Sequence, residues 1–304
     1  MTVLTDGRDV DPAPPVLPGD GEATGAGTGS GTGRRRSVGD RLVAALRKYG
    51  PVAVVFALFV GFWYAMHYVI LDEQRRFIVP PPHRVIEEAF LDPSARSELF
   101  EGLVNTTRVA LYGFVIASLL ALAGAVVMAL SRNMERALYP YAVVLQTIPI
   151  LAVVPLFVVW FGPTRTARVV TCVLVALFPI LTSFLFGLKS VDRGHRDLFQ
   201  LHGAGWLTRL LKLQLPAALP SIFTGLRIGA GLCVVGALVA DFFFSRGDLG
   251  LGRLLNNYAK QLQYERLFGG VILASLLGVS IYAFISWLSN RVLRNWHESE
   301  AGPS

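Results

Sequence analysis

Long apolar runs alternate with short charged ones along this chain, and the apolar runs have the length of membrane spans. Residues 51–71 contain no Asp, Glu, Lys or Arg, and Trp63, Tyr64 and Tyr68 gather toward their far end. Roughly 20 apolar residues cross the hydrocarbon of a bilayer, and aromatic side chains collect at its boundary. Further runs cover 109–130, 138–161, 167–188, 220–244 and 267–288. The pattern predicts an all-α membrane protein with about six transmembrane helices.

The polar stretches have their own organisation. Residues 38–49 read as a short basic amphipathic helix, with Val38, Leu42, Val43 and Leu46 on one side and Arg41, Arg47 and Lys48 elsewhere; such a helix lies at the membrane interface. Residues 72–108 are polar. Val79–Pro80–Pro81–Pro82–His83 among them reads as extended, because proline lacks a donor and restricts its predecessor. An amphipathic helix follows over 93–107. The run 109–130 is rich in Ala, Gly and Ser, which lets helices approach closely, so it is expected inside the bundle. Pro140, Pro149 and Pro155 interrupt the third run and Pro179 the fourth. Bends of that kind are tolerable beside protein or a water-filled path. Polar loops are expected over 189–219 and 245–266.

Composition agrees with lipid as the solvent. Hydrophobic residues make up 53% and charged residues 16% of the 304, against about 25% charged in soluble domains. Mean hydropathy is +0.51. The net charge of +7 falls on arginines flanking apolar runs, which points to topology rather than nucleic-acid binding. With an even number of spans, the modest Lys and Arg excess places both termini in the cytoplasm. Residues 1–37, with a Gly- and Thr-rich stretch before Arg34–Arg35–Arg36, read as a disordered cytoplasmic tail, and 296–304 as a polar tail. No cleavable signal peptide is expected. Cys172 and Cys233 lie inside apolar runs and read as small hydrophobes. No catalytic constellation or metal-ligand spacing stands out. The Gly250–Leu251–Gly252 run lacks a following Gly-Lys-Ser/Thr, so no nucleotide loop is expected.

The segment after the fourth run carries the strongest signal. A helix over about 196–202, a glycine turn at Gly203 and a second helix from about Trp206 to Leu213, ending before Pro216, make a two-helix elbow. Leu198, Phe199, Trp206, Leu207 and Leu210 give it an apolar face that must cover something, its own bundle or a groove on a partner. This stretch resembles the cytoplasmic signature loop of permease subunits from binding-protein-dependent ABC importers. Asp197, Leu198 and Phe199 stand where that pattern has Glu-Ala-Ala. Gly203 falls at its glycine, followed by Ala204, and Leu213, Leu215 and Pro216 complete it without a gap. Gln146–Thr147–Ile148–Pro149 through Pro155 and Trp160–Phe161–Gly162 resemble the third-span motif of the nitrate, sulfonate and taurine branch. Pro216 to Ile228, and Val239–Ala240–Asp241 with Gly247 and Leu249–Gly250, resemble its later motifs.

The resemblance implies a type I ABC importer permease bundle with 189–219 as the loop coupled to a cytosolic ATPase. It implies a permease homodimer, two ATPase subunits that hold ATP and Mg, and an extracytoplasmic substrate-binding protein. The chain itself is then no enzyme and binds no cofactor. The substrate would be a small organic anion of the sulfonate, nitrate or taurine kind, or a vitamin precursor. The Gln-Thr-Ile-Pro form looks more like permeases for pyrimidine (thiamine) precursors or riboflavin. Gln146, Thr147 and Pro149 are candidates for the translocation path, the alternative being a helix–helix hydrogen bond. Asp241 is a candidate gate residue or the partner of an arginine. Arg227 reads as a snorkelling side chain, with a substrate ligand as the alternative. His195 and His202 read as solvated. Two rival classes are weighed: an ion-coupled secondary transporter, which wants intramembrane acids and bases, and a membrane-embedded enzyme, which wants clustered His or acids.

Overall fold

A computed structural model describes residues 38–243 and 247–297, with side chains over 50–243 and 247–293. The expected tails over 1–37 and beyond 297 lie outside the described residues. The chain divides into two units, Met1–Val55 and Phe56–Ser304. Of the first, the structure describes only helix from Val38 onward. The second contains everything below, and no strand occurs among the described residues.

Helix α1 (Val38–Ala65) passes through Pro51 and ends in a wider π turn over Met66–Ile70. The expected break between an interfacial helix and the first span is therefore absent, since a lone proline removes one backbone bond and the helix continues. The end of α1 is held by Trp63 Nε1, which donates to the Pro80 carbonyl at 3.0 Å, and by His67 Nδ1, 2.7 Å from the Val79 carbonyl. Pro81 is extended, but Pro82 opens the short helix α2 (Pro82–Ile86). That corrects the extended reading at Pro82 and His83: proline is at home in the first turn, where its missing N–H has no acceptor to lose.

Helix α3 (Pro93–Leu130) joins the expected amphipathic helix and second span in one 38-residue rod. Asp92 caps it, accepting from the Ser94 backbone N–H at 3.1 Å. Ala117, Ala121 and Ala125, four residues apart and fully buried, form its inner stripe, as the small-residue content predicts. Helices α4 (Arg132–Thr147) and α5 (Ile150–Phe161) replace the single third span expected over 138–161. They meet at 95°. Ile148 and Pro149 are extended, because a residue before proline is pushed out of the helical region. Helix α6 (Arg165–Lys189) follows, then α7 (Arg193–Leu201) and α8 (Trp206–Arg209). A π turn over Leu210–Gln214 leads into α9 (Leu215–Phe243). Pro216 thus sits inside helix near its start, and the expected loop 189–219 shrinks at its far end. Helix α10 (Leu251–Lys260) lies within the segment expected as a loop, and α11 (Tyr264–His297) ends the described chain.

The core is α3, α6 and α9. At Gly225 and Gly229 a Cβ would run into Ser183 and Ile180 of α6, and at Gly236 into Cys172. Backbone-to-backbone approach of this kind is the usual way to pack helices where lipid offers no hydrophobic contrast. Because α6 and α9 are antiparallel, the bundle has two ends. One carries α7 and α8; the other carries Arg165, Phe243 and α10. The bent pair connects them. Glu135 of α4 meets Lys189 at 2.7 Å at the first end, and Pro163, just past α5, faces Gly247 at the other. Helices of 16 and 12 residues at that angle reach about 30 Å end to end, one bilayer thickness. The pair is a single broken crossing. With five unbroken helices long and apolar enough to cross a membrane, it makes six.

Candidate functional site

The elbow is built as a rigid corner. Asp192 caps α7, its carboxylate accepting from the Gly194 N–H at 3.3 Å. At the other end Gly203 takes φ +67°, and two bonds close the turn: Gly203 N–H to the Gln200 carbonyl and Ala204 N–H to the Phe199 carbonyl, both 2.9 Å. This is a Schellman cap, in which the left-handed residue lets two further amides satisfy carbonyls of the last helical turn. The turn foreseen at Gly203 is present, while α7 starts earlier than expected, at Arg193. Helix α8 then runs through its π turn into α9 without a break, so the corner is mechanically continuous with a core helix.

Part of its apolar face is turned outward. Leu198, Trp206, Leu207 and Leu211 are about half exposed and Leu201 is 85% exposed. Asp197 and Gly203 are also exposed, whereas Phe199, Ala204, Leu213, Leu215 and Pro216 are half-buried and Leu210 is buried. The predicted residues thus divide into an outward set and a set seated on the bundle. Under the corner lies a cavity of about 310 Å³ lined by Arg196, Asp197, Trp206, Arg209 and Leu213. His202 Nδ1 lies 2.9 Å from the Leu198 carbonyl, a local contact. No group of three His, Cys, Asp or Glu side chains suited to a metal occurs among the described residues.

Gln146, Thr147 and Pro149 sit at the α4–α5 bend, all exposed. Thr147 Oγ1 donates to the Val144 carbonyl of its own helix at 2.8 Å, and among the described residues neither it nor Gln146 bonds a second helix. Asp241 belongs to a different site. It is buried in the end of the bundle opposite the elbow, where Arg168 Nη1 donates to Oδ1 at 3.2 Å and Thr106 Oγ1 to Oδ2 at 3.0 Å. The Leu251 N–H in turn donates to Thr106 Oγ1 at 2.8 Å. Gly250 and Gly252 pack so closely on Asp241 that a Cβ at either would strike its side chain. The loop before α10 is also held by Asn105 Nδ2, donating to the Leu249 carbonyl at 2.9 Å, and by Arg165 paired with Asp248 at 2.6 Å. The Arg165 bond holds the Asp248 carboxyl below the usual carboxylate range. Tyr258 anchors α10 itself through Glu98 at 2.9 Å; burial first, then that bond, pushes its phenol up.

Of the two readings of Asp241, pairing with an arginine is the one the geometry carries. Arg168 escaped the sequence reading because it stands second in its apolar run and counted as a loop charge. Arg227 is half-buried and donates from Nη2 to Ser289 Oγ of α11 at 2.6 Å.

Comparison with known proteins fits this architecture. Residues 93–294 match the family of binding-protein-dependent transport system inner membrane components. The chain belongs to that family: it is a multi-pass permease subunit of an ABC importer and a transport component, not a catalytic one. A formylaminopyrimidine transport permease protein, ThiX of Halalkalibacterium halodurans, is 33% identical over 224 residues, covering 74% of this chain and 88% of that one. A riboflavin transport system permease protein, RibX of Chloroflexus aurantiacus, is 30% identical over 246 residues, covering 81% and 90%. Other relatives are named for aliphatic sulfonate, bicarbonate and taurine transport. A solved amino acid ABC transporter shares the fold with a TM-score of 0.53 at 19% identity, covering 66% of this chain and 95% of its own.

Proposed function

We propose that the α7–α8 elbow is the handle through which a cytosolic ATPase drives this permease, and that the chain pairs with a second copy to enclose the translocation path. The observation that carries the reading is a capped corner, continuous with a core helix, that leaves Leu198, Leu201, Trp206, Leu207 and Leu211 exposed. A surface like that fits a groove on another protein. It sets the elbow end of the bundle, and with it both termini, in the cytoplasm, and the α10 end outward toward a substrate-binding protein. ATP and Mg are held by the ATPase subunits. Gln146 and Thr147, exposed at a bend where helix breaks at membrane depth, line the path; irregular backbone is tolerable there only beside protein or water. The cargo is a pyrimidine vitamin precursor or riboflavin rather than a sulfonate-, nitrate- or taurine-like anion. The Gln-Thr-Ile-Pro sequence favours that choice, and formylaminopyrimidine and riboflavin permeases stand among the relatives, beside those named for sulfonate, bicarbonate and taurine.

An ion-coupled secondary transporter fits less well. The strongest intramembrane acid–base pair, Arg168 with Asp241, is sealed on both sides, each side chain 2% exposed, and braces a loop instead of opening on a path. The test is co-purification with the ATPase partner, and reconstitution with the binding protein. Uptake must require ATP and the ATPase, and replacing Gly203 by Val must weaken the complex. Uptake by the permease alone, without nucleotide, would refute the proposal.

A further inference from the structure

At the elbow end, a second cavity adjoins the one under the corner, and Arg196 lines both. This cavity, of about 590 Å³, opens where α3 and α6 finish and α4 and α7 begin. Arg132, Arg136, Lys189 and Arg196 line it, and Glu135 is the only acid among the lining residues. Glu135 is already engaged by Lys189, whose Nζ reaches both carboxylate oxygens at 2.7 Å. Three guanidinium groups are left around one opening. Arg132 and Arg136 are four residues apart and so share a face of α4; both are exposed, and neither has an ion pair among the described residues. Arg196 spends Nη2 on the Lys189 carbonyl at 2.6 Å, while its buried Nε has no hydrogen-bond partner.

The helix field makes this arrangement costly when empty. Arg132 and Arg136 occupy the first turns of α4, where the dipole and unpaired N–H groups favour negative charge and disfavour positive. An anion at the opening satisfies the guanidinium groups and the helix end together. The depth of the site selects the kind of anion. The spans formed by α3 and α6 stop at Leu130 and Lys189, so the opening lies at the membrane–water boundary, beside Tyr139 and the apolar Met128. We propose that this cavity is a binding site for a phosphate oxyanion, supplied by the headgroup of an anionic phospholipid. Arg132 and Arg136 grip the phosphate in the forked geometry guanidinium allows, and Tyr139 and Met128 meet the glycerol and upper acyl region. The inference rests on the membrane placement of the bundle but not on coupling to an ATPase, so the isolated full-length permease suffices to test it.

The experiment measures the thermal midpoint of the detergent-purified permease, and its lipid adducts by native mass spectrometry, with phosphatidylglycerol, with phosphatidylcholine, and with inorganic phosphate alone. Two variants are compared: Arg132→Gln/Arg136→Gln, and a control at the opposite end, Arg75→Gln/Lys260→Gln, which removes the same charge. Phosphatidylglycerol should raise the midpoint and form retained adducts where phosphatidylcholine does not. The Arg132→Gln/Arg136→Gln variant should bind phosphatidylglycerol on the order of tenfold more weakly, each basic group near an anionic surface contributing a comparable share, and the control should not. The same stabilisation by inorganic phosphate, lost in the same variant, supports the oxyanion site and identifies a soluble source. Equal response to both lipids, or equal loss in both variants, overturns the proposal. So does an Arg132→Gln/Arg136→Gln variant that keeps its phosphatidylglycerol adducts and its shift in midpoint.

Discussion

The pair between Arg168 and Asp241 offers the sharpest test of how the outward end is held. Both side chains are 2% exposed, so neither charge has water to fall back on. Asp241→Asn keeps the shape and an acceptor for Thr106, and removes the counter-charge. Breaking a buried pair from one side costs about 3–5 kcal/mol, because a lone charge is left behind. Arg168 also reaches the Asp248 carbonyl at 3.3 Å and the Asp248 carboxylate at 4.0 Å, so the lower end of that range is expected. In a chain of this size a kcal/mol moves Tm by about 2–4 °C, which puts the drop on the order of 10 °C. Arg168→Met should cost a similar amount, since Asp241 then loses its counter-charge and keeps the Thr106 hydroxyl and the Gly252 amide. The double variant leaves no unpaired charge, and should be more stable than the two single losses summed by about 2 kcal/mol or more. Thermal unfolding of all four proteins in one detergent closes the cycle. Losses that simply add would mean that the two residues act independently and that the loop is held by Gly250 and Gly252 packing instead.

Three further outcomes follow from the geometry. Gly203 has open space around it, so only its φ of +67° resists substitution; Gly203→Val should weaken ATPase co-purification at least several-fold while Gly203→Asn, which tolerates that φ, retains it. Equal behaviour of the two would sink the idea of a conformational requirement. Gly229→Leu drives a side chain into Ile180 and should lower yield and Tm sharply, a cost of about 3 kcal/mol for overpacking, whereas Gly231→Leu, with nothing nearby, should not. Asp92, whose carboxyl is lowered by the Ser94 backbone and side-chain bonds, and Asp248, lowered by Arg165, both have depressed folded-state values. Their stabilisation is present above the usual carboxylate pKa, about 4, and is lost as pH falls through the lower folded values. Tm should hold from pH 7 to 5 and fall below about 4, and Asp248→Asn should flatten part of that fall; an unchanged profile in the variant would remove Asp248 from the account.

The six crossings were legible because lipid imposes a length and a composition on each. Gly203 was legible because a helix–glycine–helix spacing has few conformational solutions. Helix ends were not. Nothing in the run 109–130 marks its start as the middle of a helix, and the capping pair Asp92 and Ser94 lies outside it. The three prolines of 138–161 announced a distortion but not its angle, since only Pro149 breaks the helix while Pro140 and Pro155 sit inside α4 and α5. Helix α10 did leave a signal: Leu251, Leu254, Leu255 and Tyr258 recur at helical spacing, and all four are buried. The basic rim around Arg136 and Arg196 left none, because it joins residues from α4 and α7 that only the fold brings together.

The distribution of stiffness in the bundle bears on how a push at one end reaches the other. From Trp206 to Phe243 the chain is helical throughout, and α9 is locked to α6 at Gly225, Gly229 and Gly236, which lie directly against Ser183, Ile180 and Cys172. Close-packed contacts of that sort have little room to shear. At the far end the same two helices are joined through Arg168 and Asp241 and carry the α10 loop with them. A displacement of the elbow is therefore passed on as rigid-body motion of α6, α9 and α10. The α4–α5 joint is the contrasting element: two residues of extended backbone, Ile148 and Pro149, with proline removing a donor. Rotation there disturbs no helical hydrogen bond. Movement imposed at the elbow should concentrate at this joint, and replacing Pro149 with alanine, which permits continuous helix, should straighten it. Spin labels on α4 and α5 read the angle directly: a shorter distance across the joint in the wild type than in the variant fits this division of labour, and equal distances would place the flexible element elsewhere.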